Sequence, residues 1–167
     1  MNRRTTLALS TTAMLCLGVA LPGAGVAQTA KDLVGTWTLV SAETVRPDGN
    51  SGPTFGADPK GLLILTSDGR FLYLFSRSDL PKFASDSRAT GTPEENKAVV
   101  QGSISTYGTY SVTDKSLAIK VENSTFPNWL GNDQKRTITM MTGDELKWTN
   151  PAASAGGVAE LVFRRAR

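Results

Sequence analysis

The sequence predicts an all-β domain, an antiparallel up-and-down barrel of about eight strands with one short helix. Three observations predict it. Short β-favouring runs recur through residues 31–165, turn signals separate them, and apolar side chains alternate with polar ones in most of the runs. Alternation at period two is what a strand needs when one face is buried and the other meets water.

The first 27 residues differ in kind. Arg3 and Arg4 supply positive charge, residues 7–21 are mostly apolar without a charged side chain, and Gly25, Val26 and Ala27 offer small residues for cleavage. This is the layout of a removable secretory signal, and a run of about 15 residues falls short of the ~20 needed to span a bilayer. The expected organisation is therefore a signal at 1–27 and one barrel domain at 28–167, exported to the periplasm or out of the cell. The Arg pair leaves both the general secretory and the twin-arginine route open.

The runs fall at 35–45, 61–66, 70–77, 103–112, 117–122, 136–141, 145–149 and 158–165. Ser67-Asp68-Gly69 joins the second to the third, with Gly69 suited to the positive φ of a tight hairpin. Residues 113–116 and 142–145 turn the next hairpins, so neighbours in sequence become neighbours in the sheet. Thr92-Pro93-Glu94-Glu95 breaks the rhythm: a capping box with proline at the first helical position opens a short helix to about Gln101. The polar stretch before it, 78–91, is the candidate lid across a barrel mouth.

Parity assigns the faces. Trp37, Leu39, Ser41 and Glu43 share one row; Phe71, Tyr73 and Phe75 another; Ile104, Tyr110 and Val112 a third. Leu117, Ile119 and Val121 follow, then Arg136, Ile138 and Met140, then Leu146 with Trp148, then Leu161, Phe163 and Arg165. An interior of Phe, Tyr, Trp and Leu with a few polar members suits either a dry core or a barrel that holds one small apolar ligand.

Composition excludes several chemistries. Taking Arg3 and Arg4 away leaves 16 Lys plus Arg against 15 acidic residues, a formal charge of +1 in place of +3, so nucleic acid is not an expected partner. The single cysteine, Cys16, lies in the signal, and there is no histidine. Disulfides, thiol catalysis and the common zinc sites are thereby removed, and no metal or cofactor is expected. Neither a nucleophile elbow nor a phosphate-binding loop occurs.

Gly35-Thr36-Trp37 resembles the Gly-x-Trp of the first strand of calycin barrels, the lipocalins and fatty-acid-binding proteins. Residues 59–69, Tyr107-Gly108-Thr109-Tyr110, 126–131 with Gln134 and Arg136, Gly143-Asp144-Glu145-Leu146 and 161–165 extend the match. Their order and spacing resemble the bacterial and fungal lipocalin-like domain family over nearly the whole of 28–167. The resemblance implies structural roles for Gly35, Trp37 and Arg165, the last being the cation that packs on the indole and closes one barrel end. Many members of that family carry histidine in the strand equivalent to 117–122, where this chain has Ile119; activity resting on that histidine would be absent.

The function this reading favours is an exported barrel that binds a small hydrophobic molecule. Its candidate ligand-binding residues are Phe71, Tyr73, Phe75, Tyr110 and Trp148 along the interior, Phe126 and Trp129 at the mouth, and the polar pair Arg136 and Glu43. Arg136 is placed either to meet a ligand carboxylate or to form an internal ion pair with Glu43. Two alternatives stay open. One is a cyclase or isomerase with Glu43 as general base and Tyr73 or Tyr110 as hydrogen-bond donor. The other is a filled barrel that binds a protein through 78–91. Binding is preferred to catalysis because no nucleophile, metal or histidine base is present.

Overall fold

The computed structural model describes residues 30–167, and the expected export signal at 1–27 lies outside them. A four-residue helix, α1 (Ala30–Leu33), leads into β1 (Gly35–Val45), β2 (Ser51–Pro53), β3 (Lys60–Leu65) and β4 (Arg70–Ser76). Then come α2 (Pro93–Gly102), β5 (Ser103–Thr113), β6 (Ser116–Ser124), β7 (Asp133–Met141), β8 (Glu145–Asn150) and β9 (Val158–Arg165). From β3 onward each strand pairs antiparallel with the next, and β9 pairs back onto β1. The result is a closed eight-stranded antiparallel barrel carrying β2 as an extra strand.

The turns follow the local chemistry. Gly69 takes φ of 80° and closes the β3–β4 hairpin with its amide on Thr66 O at 3.1 Å. At the start of α2 the Thr92 hydroxyl accepts from the Glu95 amide while the Glu95 carboxylate accepts from the Thr92 amide, so two otherwise unpaired donors are satisfied. β2 was absent from the expected strands because Ser51, Gly52 and Pro53 carry turn composition. It forms because the 46–50 turn returns the chain alongside Glu43, Thr44 and Val45.

Most of the predicted inward rows are buried: Phe71, Tyr73 and Phe75; Leu117, Ile119 and Val121; Leu146 and Trp148; Leu161 and Phe163. Two expectations of parity are corrected. A register shift between Leu39 and Ser41 inserts one residue in β1, after which Ala42 and Thr44 point inward and Glu43 points out, opposite Glu160 of β9. A second shift, between Ile138 and Met140 in β7, turns Met140 outward and brings Met141 against the core. An extra residue flips every side chain beyond it, because alternation has a period of two.

One end of the barrel is sealed. The Trp37 indole is fully buried and its Nε1 donates to Leu33 O at 2.9 Å, which holds α1 across the opening. The Arg165 guanidinium lies 4.0 Å above the Trp37 ring and donates to Asp32 O (2.8 Å), Val34 O (2.9 Å) and Gly143 O (2.6 Å). Gly35 permits this approach: its φ is 138°, and a Cβ there would stand 2.7 Å from Arg165 Nη1.

Candidate functional site

The opposite end of the barrel holds a cavity of about 40 Å³, room for roughly three water molecules. Of the residues proposed from sequence, Tyr73, Phe75, Trp129, Arg136 and Trp148 line it. Tyr73 and Phe75 stack at 4.4 Å with nearly parallel rings, and Trp148 packs against Phe163 at 4.7 Å, so the walls are rigid aromatic surfaces. Phe126 stands one layer back, edge-on to Trp129 at 5.5 Å, and steadies that ring.

Three expectations are moved elsewhere. Tyr110 sits toward the sealed end, its hydroxyl donating to Thr66 O at 2.8 Å, and Phe71 is buried with it on the cavity's far side; neither lines the cavity. Glu43 is on the outer face, so it is neither the partner of Arg136 nor a base for a reaction inside the barrel. The 78–91 stretch contributes nothing to the lining. It folds onto α2 instead, with the Ala84 amide donating to the Glu95 carboxylate at 2.9 Å and Phe83 against Gly91.

Sequence reasoning missed Phe55 and Asn150. Phe55 lies in a Gly- and Pro-rich connection that reads as loop, yet it is buried because the preceding Thr54 amide donates to Ala42 O and its ring meets Phe75 at 6.2 Å. Asn150 could have been found by carrying the parity of Leu146 and Trp148 one step further.

Arg136 is the centre of the site. It is only 3% exposed, and among the described residues no carboxylate lies within 4 Å of it; the salt bridges there are all on the surface. One guanidinium nitrogen donates to Gln134 Oε1, another makes a long 3.4 Å contact with Lys135 O, and the group lies 5.8 Å over the Trp129 ring. Burial pushes its pKa below the usual guanidinium value, opposed by the Tyr73 hydroxyl in front of it. Burial raises the pKa of Tyr73, opposed by hydrogen bonds with Thr106 and Arg136, so the phenol stays protonated and can donate. Thr106 continues the chain to Ser124 at 2.9 Å, and Ser124 Oγ accepts from the Phe126 amide at 3.0 Å. Hydroxyls thus connect the cavity floor to the loop that carries Phe126 and Trp129.

The arrangement suits an anion with two oxygens. A guanidinium offers a planar fork, and Tyr73 adds a neutral donor beside it. Among the described residues no cluster of acidic or cysteine side chains could hold a metal ion.

A family model described as a lipocalin-like domain matches residues 34–166. Among solved structures, an uncharacterized protein from Bacteroides eggerthii aligns with a TM-score of 0.43 at 15% identity, covering 80% of this chain and 98% of its own. A redesigned beta barrel aligns with a TM-score of 0.44 at 14% identity, covering 86% of this chain and all of its own. No curated protein matches the chain.

Proposed function

The chain belongs to the lipocalin-like domain family, and from that premise we propose that it binds a small apolar molecule bearing a carboxylate, with the acid group on Arg136 at the open end of the barrel. The observation that carries this reading is an arginine only 3% exposed with no acidic partner among the described residues. An unpaired buried charge costs several kcal/mol, and a ligand carboxylate would offset that cost. The cavity is the size of a head group. Any longer apolar part would extend outward past Phe55 and Trp129.

Titration calorimetry with short straight-chain and aromatic monocarboxylic acids, each beside its primary amide, tests the assignment. The acids should bind and the amides should not, and Arg136→Leu should weaken the acids by about 1.5–3 kcal/mol, the worth of a charged hydrogen bond. Equal binding of acid and amide, or affinity untouched by Arg136→Leu, refutes it.

The same proposal makes the protein an exported one. Arg3, Arg4, the apolar run at 7–21 and the small residues 25–27 support a cleaved signal. Terminal sequencing of protein recovered from the cell envelope should begin near Gln28; a chain retained in the cytoplasm with residues 1–27 attached refutes export.

A further inference from the structure

Asn150 ends β8 inside the barrel, 5% exposed, and lines the cavity together with Arg136. Its carboxamide is fixed in one orientation: the Ala152 amide, in the β8–β9 connection, donates to Oδ1 at 3.0 Å, and only the oxygen can meet an N–H there. Nδ2 is left as a donor with no acceptor among the described residues. A buried donor without a partner destabilises the fold, so its place in a cavity wall calls for an acceptor from outside the chain. The other polar groups around the cavity are accounted for. Arg136 and Tyr73 form the acid site, the Thr54 hydroxyl bonds to that of Thr44 at 2.6 Å, and Ser154 is partly open to water.

Arg136 and Asn150 stand side by side. The register of β7 and β8 pairs Ile138 with Trp148 and Thr137 with Thr149, and one further step sets Asn150 opposite Arg136, both side chains inward. Residues directly opposite start about 4.5–5.5 Å apart at their Cβ atoms. The cavity of about 40 Å³ in front of them has room for roughly three water molecules, enough for the two oxygens of a carboxylate and one more close beside them.

We propose that Asn150 recognises a carbonyl oxygen on the carbon next to the carboxylate, which makes the ligand a 2-oxo acid with an apolar tail; this rests on the reading of Arg136 given above. A ketone oxygen only accepts, as Nδ2 requires, and on the adjacent carbon it stays inside the polar part of the cavity while the tail leaves past Phe55 and Trp129. A hydroxyl in the same place would bring a hydrogen of its own to satisfy, with Oδ1 already turned to Ala152. A plain fatty acid would set a methylene against Nδ2 and leave the donor unpaired.

Titration calorimetry at neutral pH with 2-oxohexanoate, 2-hydroxyhexanoate and hexanoate, and with 2-oxo-4-phenylbutyrate beside 4-phenylbutyrate, tests this. Each oxo acid should bind about tenfold tighter than its plain counterpart, the worth of one buried hydrogen bond. Asn150→Leu should bring each pair to within about twofold while hexanoate keeps its wild-type affinity, and Arg136→Leu should weaken all five acids. Leucine also removes the acceptor for the Ala152 amide. If that variant does not fold, by circular dichroism, Asn150→Ser, whose hydroxyl can still accept from Ala152 but is too short to reach into the cavity, should show the same loss of preference. Equal affinity of oxo and plain acids in the wild type, tighter binding of the hydroxy acid than of the oxo acid, or an oxo preference that survives substitution of Asn150 overturns this inference and leaves the acid site standing. Failure of all five to bind, or binding indifferent to Arg136→Leu, overturns the acid site and this inference with it.

Discussion

At the sealed end an arginine lies 4.0 Å above a tryptophan, and at the open end a second arginine lies 5.8 Å over a second tryptophan. The residue types are the same and their circumstances are opposite. Arg165 directs its donors to three backbone carbonyls and stays partly in contact with water. Arg136 is buried, with the Gln134 side chain and the Tyr73 hydroxyl as its close acceptors, no carboxylate among the described residues beside it, and a cavity in front of it. A satisfied cation over an indole is a closure; an under-satisfied one beside a void is where the proposed ligand carboxylate would sit. The difference lies in the carbonyls supplied by the neighbouring chain, which α1 and the β7–β8 turn bring to Arg165 and nothing comparable brings to Arg136.

Substitutions at the two ends should therefore differ in sign. Trp37→Ala removes a fully buried ring and the platform for Arg165, and should destabilise the fold by about 3–5 kcal/mol in urea unfolding. A loss below ~1 kcal/mol would mean the sealed end is not what holds the barrel closed. Arg165→Lys keeps the charge but cannot reach Asp32, Val34 and Gly143 together; a loss of about 1–3 kcal/mol is expected, with acid binding at the far end unchanged. Arg136→Leu should do the reverse, raising stability by about 1–2 kcal/mol as an unpaired buried charge is replaced by an apolar side chain, while weakening the acid. Were it to destabilise the protein as Arg165→Lys does, the contrast between the ends would collapse. Glu43→Gln is the smallest change. It relieves the like charge of Glu160 across the outer ladder, and unfolding should shift by no more than about 0.5 kcal/mol toward stability, with ligand affinity unaltered.

Much of the barrel was legible. Period-two rows placed Phe71, Tyr73, Phe75, Leu117, Ile119 and Val121 inside, and the Thr92 capping box placed α2, because both signals act within a few residues of chain. The candidate site was half legible. Tyr73, Phe75, Trp129, Arg136 and Trp148 were named from sequence and meet at one cavity, whereas Phe71 and Tyr110 share their rows but lie nearer the other end. Parity tells which face a side chain takes and says nothing of its depth along the barrel axis.

The sequence by itself determined the order of the eight barrel strands, their hairpin turns and the chemistry available, a nearly neutral domain with neither imidazole nor thiol once residues 1–27 are set aside. Tertiary structure decided what Arg136 faces. The shift between Leu39 and Ser41 turned Glu43 out and left the guanidinium without the acid that simple alternation had offered it. An inserted residue is set by how β1 must bend to pair with β9 along one edge and with β3 and β2 at the two ends of its other edge. That demand arises only when the barrel closes, so it has no local signature in the chain.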